Sequence, residues 1–325
     1  MTMQKYFGLS VIICTWNRAA SLRDSLLSLN EQASWAGLDV EVIVVDNNSN
    51  DDTSAAVAAL NDTWKLGQLH YVFEPRQGKQ FALNTAIRLS TKSVLAFSDD
   101  DIVFPPEWIS RIAEVFADET LELTGGKTLL NWPSNGPPAW YDDSMAAILA
   151  GVDLGDQRLK PAPEIYAPAG SNMAARRAVF DRVGMFSELH FRHMDHEFGR
   201  RSMQAGVSIA YEPSLKVFAP VDAQCLSKRY FRRWAFKAGI AHGDESEASS
   251  PHLLLVPRWI YRRLLNDCAM LPIDKARQVP AQSFARELRI WRDLGTITSR
   301  WYAKLWPERY PQWVAKHSQK KKNIY

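Results

Sequence analysis

Three consecutive carboxylates, Asp99, Asp100 and Asp101, close the apolar run Val94-Leu-Ala-Phe97 and Ser98, and Pro105 and Pro106 follow shortly after. Adjacent like charges repel, so such a triplet is either a solvated acidic turn or a site where a divalent cation or a set of hydroxyl donors gathers the oxygens. A second carboxylate, Asp46, ends another buried-strand run, Val40 to Val45, and Thr15 follows a third, Leu9 to Cys14. Further along, Asp195 and Glu197 stand in Phe191-Arg-His-Met-Asp-His-Glu-Phe-Gly-Arg-Arg201. His190, His193 and His196 recur every third residue there, too wide an arc on a helix to chelate one ion, and their spacing matches no zinc pattern.

The elements that would position these groups are readable from periodicity. Strands are expected at Leu9–Cys14, 40–45, 69–73, 93–97 and 207–211. Helices are expected after a capping box at Ser21 and Asp24, from about Thr53, over 79–90, from about Arg177 to Gly184, and from about Phe191 to Ala205. Strand and helix alternating in this way give right-handed βαβ units and a parallel sheet, whose ligands bind beyond the carboxyl ends of the strands. Thr15, Asp46, Arg76 and Asp99 all follow strand ends, so one crevice should collect them. Residues 131–170, rich in Pro and Gly, read as a long loop over that crevice. Neither a G-x-G-x-x-G fingerprint nor a P-loop occurs, so phosphates would be held by another device, with a carboxylate-bound metal the first candidate.

The 325 residues, 46% hydrophobic and 23% charged, describe a globular chain with a sizeable core. Three cysteines, Cys14, Cys225 and Cys268, show no metal-ligand spacing and are expected reduced. With no signal pattern and no run long enough for a membrane span, a cytoplasmic location is expected. The net charge of +3 hides a division: residues 1–225 carry 19 Lys and Arg against 28 Asp and Glu (−9), and residues 226–325 carry 20 against 8 (+12).

The segments Thr15-Trp-Asn-Arg18, Val42-Ile-Val-Val-Asp-Asn-Asn-Ser-Asn-Asp-Asp-Thr53, Phe97-Ser-Asp-Asp-Asp-Ile-Val-Phe-Pro-Pro-Glu-Trp108 and Met194-Asp-His-Glu-Phe-Gly-Arg-Arg201, in this order, resemble glycosyltransferase family 2 over about residues 8–220. The resemblance implies a GT-A fold: α/β, a single Rossmann-like, mixed but mainly parallel sheet flanked by helices, here with a C-terminal helical extension. It places a catalytic domain at 1–225, with a nucleotide-sugar half to about 103 and an acceptor half over 104–225, and a basic, Trp-rich extension at 226–325. It implies that Asp46 accepts a hydrogen bond from the nucleotide base, that Thr15 and Asn17 line the nucleoside, and that Arg76 and Lys79 flank base and diphosphate. Where the family commonly has Asn, this chain has Arg76, so a solvated surface Arg competes with that role.

In the same resemblance Asp101 is the direct ligand of Mn2+ or Mg2+, and Asp99 a second ligand or a ribose contact. Asp100, pointing the other way in an extended backbone, binds ribose or caps the next helix. Asn172 lies near the donor sugar or β-phosphate. Asp195 matches the general base, with Met194 in place of the usual preceding acid; Glu197 is the alternative base, or else pairs with Arg200 or Arg201. The reaction implied is inverting transfer of a sugar from a nucleotide-diphosphate donor, UDP-linked by preference, onto a saccharide or lipid-linked acceptor in cell-surface polysaccharide or glycolipid synthesis. A nucleotidyltransferase acting on a sugar phosphate is disfavoured by the turn 15–18, which lacks a Gly-rich phosphate loop. A non-catalytic carbohydrate-binding or scaffold protein would be expected to lack the Asp triplet or Asp195.

Arg233-Trp234 resembles the end of the family's Q-x-x-R-W motif, but Tyr230 stands where Gln would be, so no polymerase is inferred and the segment is expected to close the acceptor side. Trp and Tyr interleaved with Arg and Lys through 253–313 fit an interfacial helix on an anionic membrane surface, peripheral to its inner face, and equally a helical subdomain with buried Trp; nucleic acid is not expected. Lys320-Lys-Lys-Asn323 is expected to be a disordered end.

Overall fold

The computed structural model describes residues 8–32, 37–163, 166–188, 194–241 and 251–318; His190, His193 and the 320–323 run lie outside them. The chain divides into two compact units, one of Met1–Asn131 with Ala150–Pro220, the other of Trp132–Leu149 with Val221–Tyr325.

The first unit is built on one sheet. Strands β1 (Gly8–Thr15), β2 (Asp39–Asp46), β3 (Gln68–Phe73), β4 (Val94–Asp99), β5 (Leu123–Asn131), β6 (Asn172–Arg176) and β7 (Ile209–Pro220) lie in the order β3-β2-β1-β4-β6-β5-β7. All neighbouring pairs are parallel except those made by β6, which runs antiparallel to both β4 and β5. The mixed, mainly parallel sheet is the expected architecture. β1, β2 and β4 are mostly apolar because both faces are covered, and Ser10 and Glu41, buried polar residues among them, hydrogen-bond each other at 2.6 Å. Alternate residues go to opposite sides. Val11, Ile13, Val42, Val44 and Ala96 meet Leu22, Leu26 and Leu29 of α1 (Ala19–Asn30), Val57 of α2 (Thr53–Ala58), and Trp108, Ile109 and Ile112 of α4 (Trp108–Phe116). Ile12, Ile43, Val45, Leu95 and Phe97 meet Ala82, Leu83 and Ala86 of α3 (Lys79–Leu89), Phe180 of α5 (Arg177–Val183), and Met194 and Phe198 of α6 (Met194–Gln204). Each such fully buried aliphatic or aromatic side chain stabilises the fold by about 1.5–3 kcal/mol.

Local departures from the expected elements have physical causes. Helix α1 begins at Ala19, and no Ser21 capping box forms, because Asp51 reaches across from the next loop to accept the Ala19 N–H at 3.0 Å. The stretch from Gly170, expected to lead straight into a helix, first forms β6. Strand β5 is hidden in sequence by Gly125 and Gly126, which its surroundings require: a Cβ on Gly126 would stand 2.0 Å from the Leu215 carbonyl oxygen. The expected 131–170 loop is two different things. Residues 132–149 belong to the second unit, while 150–160 are pinned to the sheet. Lys127 of β5, itself buried, bonds Asp153 at 2.9 Å and Asp156 at 2.7 Å, and the Tyr211 hydroxyl accepts the Leu154 N–H.

The second unit contains the helices α7 (Lys228–Ala241), α8 (Arg258–Ala276), α9 (Pro280–Leu305) and α10 (Tyr310–Ser318), with a hairpin of β8 (His252–Leu253) and β9 (Val256–Pro257) before α8. Its core joins Met145 and Ile148 to Phe231, Ala235, Phe284 and Leu288, with Trp140, Tyr230 and Trp234 packed against them. Helices α7 and α9 cross in backbone contact at Gly239 and Gly295, where Thr296 and Ser299 hydroxyls donate to the Gly239 and Ile240 carbonyls. A Cβ on Gly295 would lie 2.1 Å from the Phe236 carbonyl oxygen. Gly295→Val should therefore force the helices apart and destabilise this unit by at least about 1–3 kcal/mol; an unchanged unfolding midpoint in urea would show that the crossing tolerates side chains.

Candidate functional site

The carboxyl ends of the parallel strands meet at one edge of the sheet. Register pairs Thr15 with Asp46 across β1 and β2, and Cys14 with Asp99 across β1 and β4, so the three strand ends stand side by side. Lys79 opens α3 and Asp195 sits in the first turn of α6.

Cations answer the acid triplet. Strand β4 ends at Asp99, and the chain then turns, so Asp100 does not follow the strand alternation expected of it. It faces inward, buried, accepting the Thr15 hydroxyl at 2.7 Å and Arg18 Nη1 at 3.0 Å. The same Arg18 nitrogen reaches Asp101 Oδ2 at 2.6 Å. Burial raises the Asp100 pKa, and the Asp101 and Asp99 charges push the same way while Arg18 opposes them. For Arg18, burial works against the charge, but Asp100 and Asp101 hold its guanidinium above the ordinary arginine range. Lys79 is hydrogen-bonded to Asp99 Oδ1. Burial opposes its charge as well, yet Asp99 foremost, with Asp195 among the further contributors, raises its pKa. Lys79 therefore lies within electrostatic reach of both Asp99 and the candidate base. Arg18, quoted in the first motif but given no role from sequence, is the residue missed there; its signal was a lone arginine three positions past the Thr15 strand end, beside an acid-rich partner strand.

The loops beyond these strand ends are tied to each other. Asp46 is buried; its Oδ1 accepts the Ser49 N–H at 2.9 Å and its Oδ2 the Tyr71 hydroxyl at 2.7 Å. Burial first, then Asp46, pushes the Tyr71 phenol up to about 12. Asn17, at φ 53°, accepts the Asn50 N–H at 2.7 Å, and its own N–H donates to Ser49 Oγ. The Asn47 side chain donates to the Arg76 carbonyl at 2.6 Å and accepts the Gly78 N–H at 2.7 Å. Arg76 is exposed, with its guanidinium 4.7 Å from the Phe81 ring centroid and forked onto buried Glu74 through Nε at 2.9 Å and Nη2 at 3.0 Å. That pairing, helped by Thr85, holds the Glu74 carboxyl down at about 2.

The Asp195 carboxylate is oriented by two backbone donors, Gly170 N–H to Oδ2 at 3.0 Å and His196 N–H to Oδ1 at 2.9 Å. Met194 before it is buried among the apolar residues of α3, α5 and α6. Glu197, the alternative base, gives both oxygens to Arg201 one turn on, at 2.6 and 3.1 Å. Asn172 is brought to the β4 edge but not into the crevice: it is buried, its amide nitrogen donates to the Lys127 and Leu215 carbonyls, and its oxygen accepts the Trp108 indole N–H. That amide joins β5, β6, β7 and α4, so a donor contact by Asn172 is not what its side chain does.

Among the described residues no three Asp, Glu, His or Cys side chains converge as a metal cage. Asp99 and Asp101 offer two carboxylates at the crevice edge, Asp101 half exposed. A hard divalent ion that takes its remaining ligands from diphosphate and water fits such a pair; an ion held by protein alone does not.

The fold is that of the GT-A glycosyltransferases. Over 93% of this chain and 88% of the other, it superposes on the mannosyltransferase PcManGT from Pyrobaculum calidifontis in complex with GDP-Man and Mn2+, with a TM-score of 0.60 at 19% identity. It also superposes on residues 1–349 of S. aureus TarS in complex with UDP, with a TM-score of 0.50 at 17% identity, over 92% of this chain and 91% of the other. Residues 10–184 match the model of glycosyl transferase family 2, and the chain belongs to that family. In sequence it is 25% identical to glycosyltransferase AglE of Haloferax volcanii over 62% of this chain and 63% of AglE. It is 27% identical to the succinoglycan biosynthesis protein ExoM of Rhizobium meliloti over 71% of this chain and 72% of ExoM. The match thus spans less than two thirds of AglE.

Two outcomes follow from this geometry. Arg18→Gln removes the partner of a buried carboxylate and should destabilise the first unit by about 2–3 kcal/mol in urea titrations at pH 7; Asp100→Asn in the same background should recover part of that loss. Glu74 has a depressed folded pKa, so the stability it contributes is complete above its unfolded pKa of about 4.3 and disappears as pH falls through about 2. The stability difference between wild type and Glu74→Gln should accordingly shrink across that window; a difference that stays constant would mean Glu74 acts through packing alone.

Proposed function

We propose that this glycosyltransferase moves a sugar from a nucleotide-diphosphate donor, UDP-linked by preference, to a hydroxyl of a saccharide or lipid-linked acceptor, with inversion at the anomeric carbon, in the synthesis of a cell-surface polysaccharide or glycolipid. The observation that carries this reading is Lys79, hydrogen-bonded to Asp99 and held charged by Asp99 foremost and by Asp195 as a further contributor. Donor-binding acids and a candidate base then share one crevice, as a single-displacement transfer requires.

In this reading the nucleoside lies against Thr15, Asn17 and Asp46, with Asp46 keeping free lone pairs on oxygens that already accept Ser49 and Tyr71. Asp99 and Asp101 would hold Mn2+ or Mg2+, which when bound supplies positive charge to the diphosphate. Asp195, fixed by Gly170 and His196 N–H groups, takes the proton of the acceptor hydroxyl. The acceptor oxygen bonds to the anomeric carbon as the bond to the diphosphate oxygen breaks, and the electron pair leaves with the nucleoside diphosphate. Lys79 and Arg18 then offer charge to the leaving group once the donor competes for their present carboxylate partners. The basic residues 226–325 are read as peripheral contact with an anionic membrane surface; no helix among the described residues is long and apolar enough to cross a membrane.

Thermal stability with UDP, GDP, dTDP and CDP, each with and without Mn2+, tests the donor. A nucleotide at a hundred times its dissociation constant adds about 2.7 kcal/mol, and that gain should need the metal and vanish in Asp101→Ala. Asp195→Asn should keep the nucleotide shift while lowering kcat by about 10²–10⁴-fold. Retained turnover in Asp195→Asn removes it as the base, and the absence of any nucleotide shift in wild type removes the donor assignment.

A further inference from the structure

The β8–β9 hairpin turns through Leu254 and Leu255, both in the left-handed region at φ 47° and 71°. Two positive φ values at the centre of a two-residue hairpin define the turn that Asn-Gly fits and that branched apolar side chains disfavour. The chain nevertheless carries leucine at both positions, and with Leu253 it raises three consecutive leucines into solvent, Leu254 at 68% exposure. Nothing in the folding of the hairpin calls for them. The turn is braced from behind: the Trp301 indole N–H donates to the Leu254 carbonyl at 2.9 Å.

Trp301 belongs to a longer feature. On α9 the residues Trp291, Leu294, Thr298, Trp301 and Leu305 follow at intervals of three and four, so they share one face, and every one of them is exposed. An apolar helix stripe ending beside an apolar hairpin tip is larger than the scattered hydrophobics a free surface normally shows. Its electrostatic setting selects the partner. All four acids of α8 and α9 are turned into ion pairs: Asp267 with Arg286 and Arg289, Asp274 with Arg286, Asp293 with Arg263, and Glu287 with Arg232. Arg258 and Arg262 near the hairpin, Lys275 and Lys304 remain at the surface. Arg300 lies against the hairpin itself, near His252 and the Leu255 carbonyl. Exposed leucine and tryptophan beside Arg258 and Arg300 at the hairpin and Lys304 on α9 match an anionic lipid surface, where the apolar groups enter the acyl boundary and the cations meet headgroup phosphates.

We infer that Leu253–255 and the Trp291–Leu305 face of α9 form a membrane-docking element that inserts the leucine tip into an anionic lipid surface. The inference rests on the reading of residues 226–325 as a membrane-contacting region and names the atoms that enter it. Its distinguishing test uses the substitution the turn itself prefers. The full chain and its Leu254→Asn/Leu255→Gly variant are sedimented with vesicles of phosphatidylcholine alone and of phosphatidylcholine with phosphatidylglycerol, and both proteins are melted. The expected result is binding of wild type to the anionic vesicles, at least tenfold weaker binding of the variant, and an equal or higher melting midpoint in the variant. Leu305→Asn, outside the hairpin, should weaken binding independently. If the double variant binds as wild type does, the tip is not the inserting element, and the wider membrane reading stands on other residues. If wild type binds neither vesicle, both fall. A concentration-dependent dimer that the double variant dissolves would instead assign this face to a second copy of the chain, and the lipid proposal would be overturned.

Discussion

Like charge at a strand end is the constraint around which the first unit is arranged. Asp99, Asp100 and Asp101 cannot stand together at the edge of a sheet unless positive charge is fixed against them. The chain supplies it from two directions: Arg18, at the turn after β1, bridges Asp100 and Asp101, and Lys79, at the start of α3, holds Asp99. Both cations come from segments that follow parallel strands, so the βαβ order itself delivers them to the acids. The result is a crevice in which each acid of the triplet has a cation against it before any ligand arrives, and those partners can be exchanged when one does.

The helical unit solves a similar problem differently. The acids of α8 and α9 are paired with arginines, Asp267 and Asp293 almost wholly buried, and α7 and α9 meet without side chains at Gly239 and Gly295. Buried ion pairs contribute little net stability compared with apolar packing of equal volume, but breaking one is expensive, so they fix which helix faces which. With the α8 and α9 acids paired and glycines at the crossing, Trp291, Trp301 and several Arg and Lys of these helices face outward.

Much of this was legible beforehand. β1, β2 and β4 are largely apolar runs of the kind a sheet covered on both faces buries, and that pattern placed Asp46 and Asp99 at their ends. What was hidden depended on contacts distant in sequence. Gly125 and Gly126 weaken the strand signal of β5, and their reason lies in Leu215 and Tyr166, far along the chain. Asp100 was expected to point away from the side its neighbours face because strand alternation was carried one residue too far; the turn begins there, and Arg18 meets Asp100 and Asp101 together. Asn172 and Met194 sit beside motif residues in sequence, yet one is an internal tie and the other part of the core. For the tryptophans, mixed charge and aromatic spacing fitted burial and exposure equally, and only the packing of α7, α8 and α9 separates Trp140 and Trp234, which pack onto the core, from Trp291 and Trp301, which face outward.

The loops after β1, β2 and β3 are joined in series: Asn17 holds Ser49 and Asn50, and Asn47 holds Arg76 and Gly78. Each bond removes backbone freedom that a loose rim would otherwise surrender on meeting a ligand. Ordering a flexible side chain or loop commonly costs about 0.5–1.5 kcal/mol per immobilised group. Here that cost was met when the chain folded, so the entropy lost on binding falls mainly on the small molecule, and a rigid partner gains more from this rim than a floppy one.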